Sequence, residues 1–438
     1  MYVILDIVIN HTGDTWRYRD DPCDYSDGVV WPFGEFRVRD PAAGPQLDDA
    51  VWPVELQDPA CFKRRGNITN RDDEAQIRDG DFYGMKELDI NQPHVLNTLI
   101  KIYKYWLLAA DVDGFRIDTV KHVESSAVAI FCNAIREYAR ELGKHNFFIF
   151  GEVMADDTTI QKYLGRNTRD ERTHERFPSL DAALDFPLAW ALENAILGQT
   201  GTSDLRERYR RLHEDYADHG AAGEHFVTFI DNHDRHWRFR HSARHQDQVI
   251  LAVAYLLTSQ GVPCLYYGTE QGFDGHSVDH DNAFEYVREA MFGGTWGAFD
   301  TRGVQFFDPE HPLYVAIRAV ARVRAAQPAL RYGRQYFREI SGDGEHFGPA
   351  IDSDATLAYS RILDAEEILV AMNLAGHPRA DFVTVDAALS PPGQVMRDLL
   401  HPTRTLPVEL RGGRACVHIE LPAWGLVILK TTPPAAHV

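Results

Sequence analysis

The chain has 438 residues, of which 44 % are hydrophobic and 25 % charged, enough apolar material for a large core and a length that implies two or three domains. Its formal net charge of −20 opposes binding to nucleic acid or to an anionic membrane, and is compatible with a neutral substrate. No uninterrupted apolar run is long enough to span a bilayer. The five cysteines, Cys23, Cys61, Cys132, Cys264 and Cys416, contain no Cys-x-x-Cys pair and read as buried reduced thiols, with a Cys23–Cys61 bridge as the minor alternative.

In chain order, residues 1–9 form a nearly continuous β-branched apolar run, which suits a strand of a parallel sheet covered on both faces. A long stretch rich in Asp, Pro, Gly and Trp follows, with Trp31-Pro-Phe-Gly and Trp52-Pro within it. It is too long for a simple loop, so residues 14–90 read as an excursion domain. Val95, Leu96, Leu99, Ile100, Tyr103, Trp106 and Leu107 then place one apolar stripe on a helix. A second apolar run, 112–117, ends at Asp118. Val128, Phe131, Ile135, Tyr138 and Leu142 mark the next helix. Run 147–150 ends at Gly151-Glu152, and a weaker run covers 180–186. Run 226–230 ends at Asp231-Asn-His-Asp234, and run 262–267 ends at Gly268-Thr-Glu270.

Strands alternating with helices, each strand closing on polar residues, give the pattern of a (β/α)₈ TIM barrel with its site at the strand C-termini. Counting gives about six strands where closure needs eight. The expectation is therefore an α/β fold: a (β/α)₈ TIM barrel lacking its first two strand–helix units, formed by 1–13 and 91–334, with the excursion domain after the third strand. On this reading the missing units lie upstream of Met1, together with any signal peptide. The compartment, cytoplasmic or secreted, is then unassigned, and the chain starting at Met1 is expected to be insoluble or inactive by itself. From Gln335 the rhythm changes to short alternating segments separated by turns such as Pro391-Pro-Gly and Arg411-Gly-Gly, which reads as an antiparallel all-β domain over 335–432. The tail 433–438 reads as disordered.

Four stretches carry chemistry, each at the end of an expected barrel strand: Asp6-Ile-Val-Ile-Asn10-His11, Gly114-Phe-Arg116-Ile-Asp118-Thr-Val-Lys121-His122, Gly151-Glu152-Val, and Phe229-Ile-Asp231-Asn-His233-Asp234. In this order and spacing they resemble the four signature regions of the alpha-amylase family of glycoside hydrolases, over about residues 1–335. Taken singly, Asp118 or Glu152 would read as a helix cap or an ion-pair partner, and His233 as a structural histidine. Four ordered matches do not arise from unrelated caps.

The chemistry can be argued from the residues themselves. Glycosidic cleavage needs an acid for the leaving oxygen and a carboxylate facing an oxocarbenium-like carbon. Arg116 and Asp118 are two apart on a strand and share a face, so the guanidinium keeps Asp118 ionised as a nucleophile requires. Glu152, ending an apolar strand near other carboxylates, is expected to be the acid and then the base. The resemblance makes Asp234 the third carboxylate, His11 and His233 ligands of the same glucose unit, and Lys121 and His122 contacts on the leaving-group side. Asp6 and Asp231 are assigned structural roles. Trp31, Trp52 and Tyr83 are either sugar-stacking residues or the core of the excursion domain.

The resemblance also implies a Ca²⁺ site made by Asn10, the backbone carbonyl of His122 and an acidic residue, here Glu87 in Met85-Lys-Glu87-Leu-Asp89. A water-filled polar junction is the alternative. The expected activity is retaining hydrolysis of alpha-1,4-glucans such as starch, glycogen or maltooligosaccharides by a monomer. An alpha-glucosidase, an alpha-glucan transglycosylase, or an inactive truncated glucan-binding protein are the rivals.

Overall fold

The computed structural model describes residues 1–36, 53–165, 168–169, 176–215, 225–276, 286–294 and 304–431. Trp52 and the tail 433–438 lie outside them. The chain divides into two compact units, Met1–Leu184 and Asp185–Val438.

In the first unit, strands Ile4–Val8, Gly114–Asp118, Phe148–Gly151 and Ala182–Leu184 lie side by side and parallel, in that order. Their register sets Asp6 beside Arg116, Val8 beside Asp118, and Ile117 beside Gly151. The strands therefore end nearly level, and their last side chains emerge at one edge. Gly114 is required by this spacing, since a Cβ there would meet the Phe148 carbonyl oxygen at 2.3 Å. Phe115 and Ile117 are fully buried on one face of the Gly114–Asp118 strand, which leaves Arg116 and Asp118 to the other.

Two helices back the first three strands. Pro93–Ala110 starts with a proline in its first turn, where a missing N–H costs nothing, and buries Val95, Leu96, Leu99, Ile100 and Leu107. Trp106, counted in that stripe from the sequence, is 43 % exposed. Ser125–Glu141 buries Val128, Phe131 and Ile135 as the spacing requires, whereas Leu142 has become the exposed C-cap.

The excursion is tied back by its ends. His11–Thr12 pairs antiparallel with Lys86–Glu87, and Leu88 N–H donates to the Asn10 carbonyl at 2.9 Å. A hairpin of Trp16–Tyr18 and Phe33–Phe36 stacks Trp16 on Phe33 at 5.2 Å, and Phe62 meets Phe33 edge-on at 5.5 Å. The short helix Glu74–Asp79 is started by Asp73, whose carboxylate accepts from the Ala75 and Gln76 amides.

The second unit contributes two more parallel strands, Phe226–Thr228 and Val262–Pro263, so the described residues contain six parallel strands in all. Helix Gln246–Thr258 is almost wholly buried. It shares one apolar core with helix Pro312–Ala326 and with strands Thr356–Leu363, Glu366–Asn373 and Leu426–Thr431, through residues such as Leu251, Leu256, Tyr359, Ile368, Val370 and Ile428. The antiparallel sheet takes in, in chain order, strands from Arg334–Phe337 to Leu426–Thr431, within the stretch expected from the sequence to be antiparallel. It also has strand Val395–Asp398, four residues long with one of its two buried positions an aspartate, and strand Thr405–Arg411, which is mostly exposed, so neither gives an apolar alternation to read.

The cysteines are all free thiols. Four are buried as expected and Cys264 is exposed.

Candidate active site

The site in the first unit is organised by Arg116. Its side chain is 9 % exposed and is fixed by the strand beneath it. Nη1 donates to Asp6 at 2.8 and 3.0 Å and to Asp118 Oδ1 at 2.6 Å, and Nη2 donates to Glu152 Oε2 at 2.7 Å. One guanidinium thus holds carboxylates carried by three adjacent strands. Burial works against its charge, but Glu152, Asp6 and Asp118 outweigh that and hold it protonated above the usual arginine range.

Asp118 and Glu152 place carboxylate oxygens within 4.8 Å of each other. Backbone geometry tightens the pair: Thr119, immediately after Asp118, has φ 48°, a left-handed conformation that is strained for a β-branched residue. That turn aims the Thr119 N–H at Glu152 Oε2, 3.4 Å away, while the Glu152 amide donates to the Ile117 carbonyl at 2.8 Å. The pairing of Glu152 with Arg116 was not legible in the sequence, which suggested an acid ending an apolar strand near other carboxylates.

The residues expected to bind sugar are placed around this pair. His11 is half-buried, with its Nδ1 at 3.3 Å from the Asn10 amide nitrogen. Its pKa is lowered by burial, against the pull of Asp118. His122 presents Nδ1 to the Ile77 carbonyl at 2.7 Å. Since a carbonyl only accepts, Nδ1 carries the proton. Burial lowers this histidine to about 4, so it is neutral at pH 7. Lys121 is half-buried, and its carbonyl accepts from Tyr163 Oη at 3.3 Å. Tyr83 is 70 % exposed and lies under the Arg71 guanidinium at 4.5 Å, so it is no core residue; Trp31 is half-buried.

Asp234 and His233 belong to the second unit, on the turn that follows strand Phe226–Thr228. Asp234 Oδ1 accepts from Arg288 Nη2 at 3.1 Å, and Oδ2 lies 3.0 Å from His233 Nε2. Arg288 also donates through Nε to the His233 carbonyl at 3.1 Å. It was missed in the sequence, where it stands in a segment with no strand-end pattern. Asp231 is buried and accepts from the Phe239 amide at 2.6 Å. Burial raises its carboxyl to about 6, in keeping with a structural role.

The expected calcium ligands do not fit a divalent cation. Glu87 and Asn10 are each 1 % exposed, but Asn10 Nδ2 donates to Glu87 Oε2 at 2.7 Å, and Lys63 Nζ lies 3.5 Å from Glu87 Oε1. Both carboxylate oxygens therefore face N–H donors. Turning the amide over would set its oxygen against the carboxylate, which is repulsive. Lys63 gave no signal in the sequence, because nothing in that aperiodic stretch announces its partner.

Comparisons with known proteins identify relatives of the chain. Residues 1–294 match the family model of the alpha-amylase catalytic domain. An alpha-amylase of Streptomyces lividans is 32 % identical over 98 % of this chain, which covers 48 % of that protein. A cyclomaltodextrin glucanotransferase of Klebsiella oxytoca is 25 % identical over 62 % of this chain and 42 % of its own length. The chain thus spans about half of these relatives or less. Among solved structures, an alpha-amylase from Geobacillus thermoleovorans shares the fold with a TM-score of 0.67, at 22 % identity, over 99 % of this chain and 78 % of that one.

The parallel strands closing on Asp118 and Glu152 and the likeness to solved structures define the fold of an alpha-amylase. The chain belongs to the alpha-amylase family.

Proposed function

We propose that the protein hydrolyses alpha-1,4-glucosidic bonds in starch, glycogen or maltooligosaccharides with retention of anomeric configuration. The observation that carries the reading is the approach of Asp118 and Glu152 to within 4.8 Å across one guanidinium. Retaining glycosidases hold their two carboxyl groups about 5–5.5 Å apart, whereas inverting enzymes leave roughly 6.5–9.5 Å for a water between them.

In the first step the Asp118 carboxylate attacks the anomeric carbon while Glu152 gives its proton to the glycosidic oxygen, and the leaving sugar departs with a new hydroxyl. In the second step Glu152 takes a proton from water, the hydroxide oxygen bonds to the anomeric carbon, and Asp118 is released. To donate, Glu152 exchanges Arg116 for the glycosidic oxygen as sugar enters; such rearrangements are common between ligand-free and substrate-bound sites. Asp234 is the third carboxylate, binding hydroxyls of the distorted ring with His11 and His233, and Lys121 and His122 meet the leaving-group side. Residues 14–90 are the excursion domain, and 335–432 the β domain.

A maltooligosaccharide substrate followed by proton NMR tests the mechanism: the alpha anomer should appear first, and initial release of the beta anomer would overturn it. The likeness to cyclomaltodextrin glucanotransferases supports a second reading, transglycosylation by the same carboxylates. Early products longer than the substrate would favour that reading over hydrolysis.

A further inference from the structure

The two buried acids at the junction between the excursion and the strands are each met by a lysine. Four side chains there are nearly inaccessible: Lys63 at 9 %, Lys86 at 4 %, Asp81 at 1 % and Glu87 at 1 % exposure. Two positive charges meet two negative ones, and each contact is direct. Lys63 Nζ lies 3.5 Å from Glu87 Oε1 and 3.2 Å from Asp79 Oδ1, and donates to the Arg78 carbonyl. Lys86 Nζ lies 3.2 Å from Asp81 Oδ2 and 3.4 Å from Asp14 Oδ1, and donates to the Gly84 carbonyl.

Lys63 therefore spans three places that need holding together. Its backbone N–H donates to the Glu87 carbonyl at 3.1 Å, which fixes it beside the strand Lys86–Glu87. Its ammonium takes the carbonyl and the carboxylate at the end of helix Glu74–Asp79, where a cation is favoured by the helix dipole. Through Glu87 it reaches Asn10, which leads out of the strand Ile4–Val8. An ammonium has three donors and no acceptor, and these three oxygens use all of them.

We propose that the Lys63 ammonium is a built-in cation, standing where the family resemblance places calcium, so that this chain secures its excursion without a metal ion. Calcium takes six to eight oxygen ligands. Here the Glu87 oxygens, the Asp79 carboxylate and the Arg78 carbonyl are all engaged by N–H donors. Asn10 Oδ1, buried without a protein partner, and the His122 carbonyl are together too few oxygens for the ion. A divalent cation would also have to enter beside two ammonium groups that already balance the buried acids.

The inference does not rest on the glucan reading, and its test reads stability, so either can fail without the other. Thermal unfolding of the full chain is measured in EDTA and then with millimolar calcium added back. The expected result is the same Tm in both, because a ligand that binds only the folded state raises Tm and an unbound one does not. A Tm several degrees lower in EDTA, restored by calcium, would overturn the proposal. Lys63→Ala gives the converse: removing the ammonium frees Glu87, Asp79 and the Arg78 carbonyl. The variant should unfold at lower temperature than the wild type, and calcium should now raise its Tm. Should the variant fail to fold, the wild-type comparison decides alone.

Discussion

Two cations in the first unit hold carboxylates in opposite ways. Arg116 faces three acids, Asp6, Asp118 and Glu152, and all three remain accessible, with side chains 51 %, 20 % and 12 % exposed. Lys63 and Lys86 face Glu87 and Asp81, which are sealed, and also Asp79 and Asp14, which are partly exposed. Carboxylates open at a strand edge can change partners when a ligand arrives. Glu87 and Asp81, closed off with their lysines, have nothing to exchange. Access to the carboxylates, more than the ion pairing itself, separates a site that reacts from one that holds.

The sharpest way to break this contrast is to remove one carboxylate from the open site. On the proposed mechanism Asp118→Asn should lower kcat by at least about 1,000-fold, since the covalent intermediate would be lost, while Tm moves little. Retention of activity by steady-state assay would remove Asp118 from its assigned role. Lys63→Ala should show the reverse pattern. Stranding a buried carboxylate costs about 3–5 kcal/mol, to be read as a lower midpoint in urea.

Acid sharpens the comparison further. His122 has its pKa lowered by burial to about 4 from the ordinary 6.5. The folded state therefore favours the neutral ring, and this contribution is whole above pH 6.5 and lost as pH falls towards 4, by up to about 3 kcal/mol. Asp231, raised by burial to about 6, works the other way: its contribution is whole below the ordinary 3.8 and lost as pH rises through 6. Segment-resolved hydrogen exchange at pH 4.5 against pH 7 should show residues 74–79 and 120–122 loosening and 226–239 tightening. Uniform change across both would refute the assignment. The smallest effect belongs to the exposed Glu207–Arg210 pair, where Glu207→Ala should leave Tm unchanged within error.

What the sequence revealed follows from burial. Parallel strands covered on both faces are written as unbroken apolar runs, so 112–117 and 147–150 marked their strands and put Asp118 and Glu152 at the ends. The helix stripe Val128, Phe131, Ile135 was legible for the same reason. Strand Thr405–Arg411 was not, because it is mostly exposed and carries Pro407. Trp106 misled because an aromatic at helical spacing looks like core whether or not something covers it. Ion pairs between distant segments leave no pattern at all: Arg116 with Glu152, Arg288 with Asp234, and Lys63 with Glu87 each needed coordinates. The calcium expectation met its difficulty there, since the sequence showed the ligand types and not the lysine beside them.

Arg361 carries a practical consequence for anyone trimming the chain. It is 1 % exposed, and its guanidinium donates to the carbonyls of Thr258, Leu330 and Gly333, capping peptide groups at the ends of Gln246–Thr258 and Pro328–Tyr332. Burial brings its pKa down to about 10, so it is still charged at neutral pH. Cutting the polypeptide after Gly333 would uncover the apolar flank of Leu251 and Leu256 and orphan those carbonyls together. The β domain is thus a lid on the interior of its neighbouring helices, and a minimal catalytic fragment has to keep it.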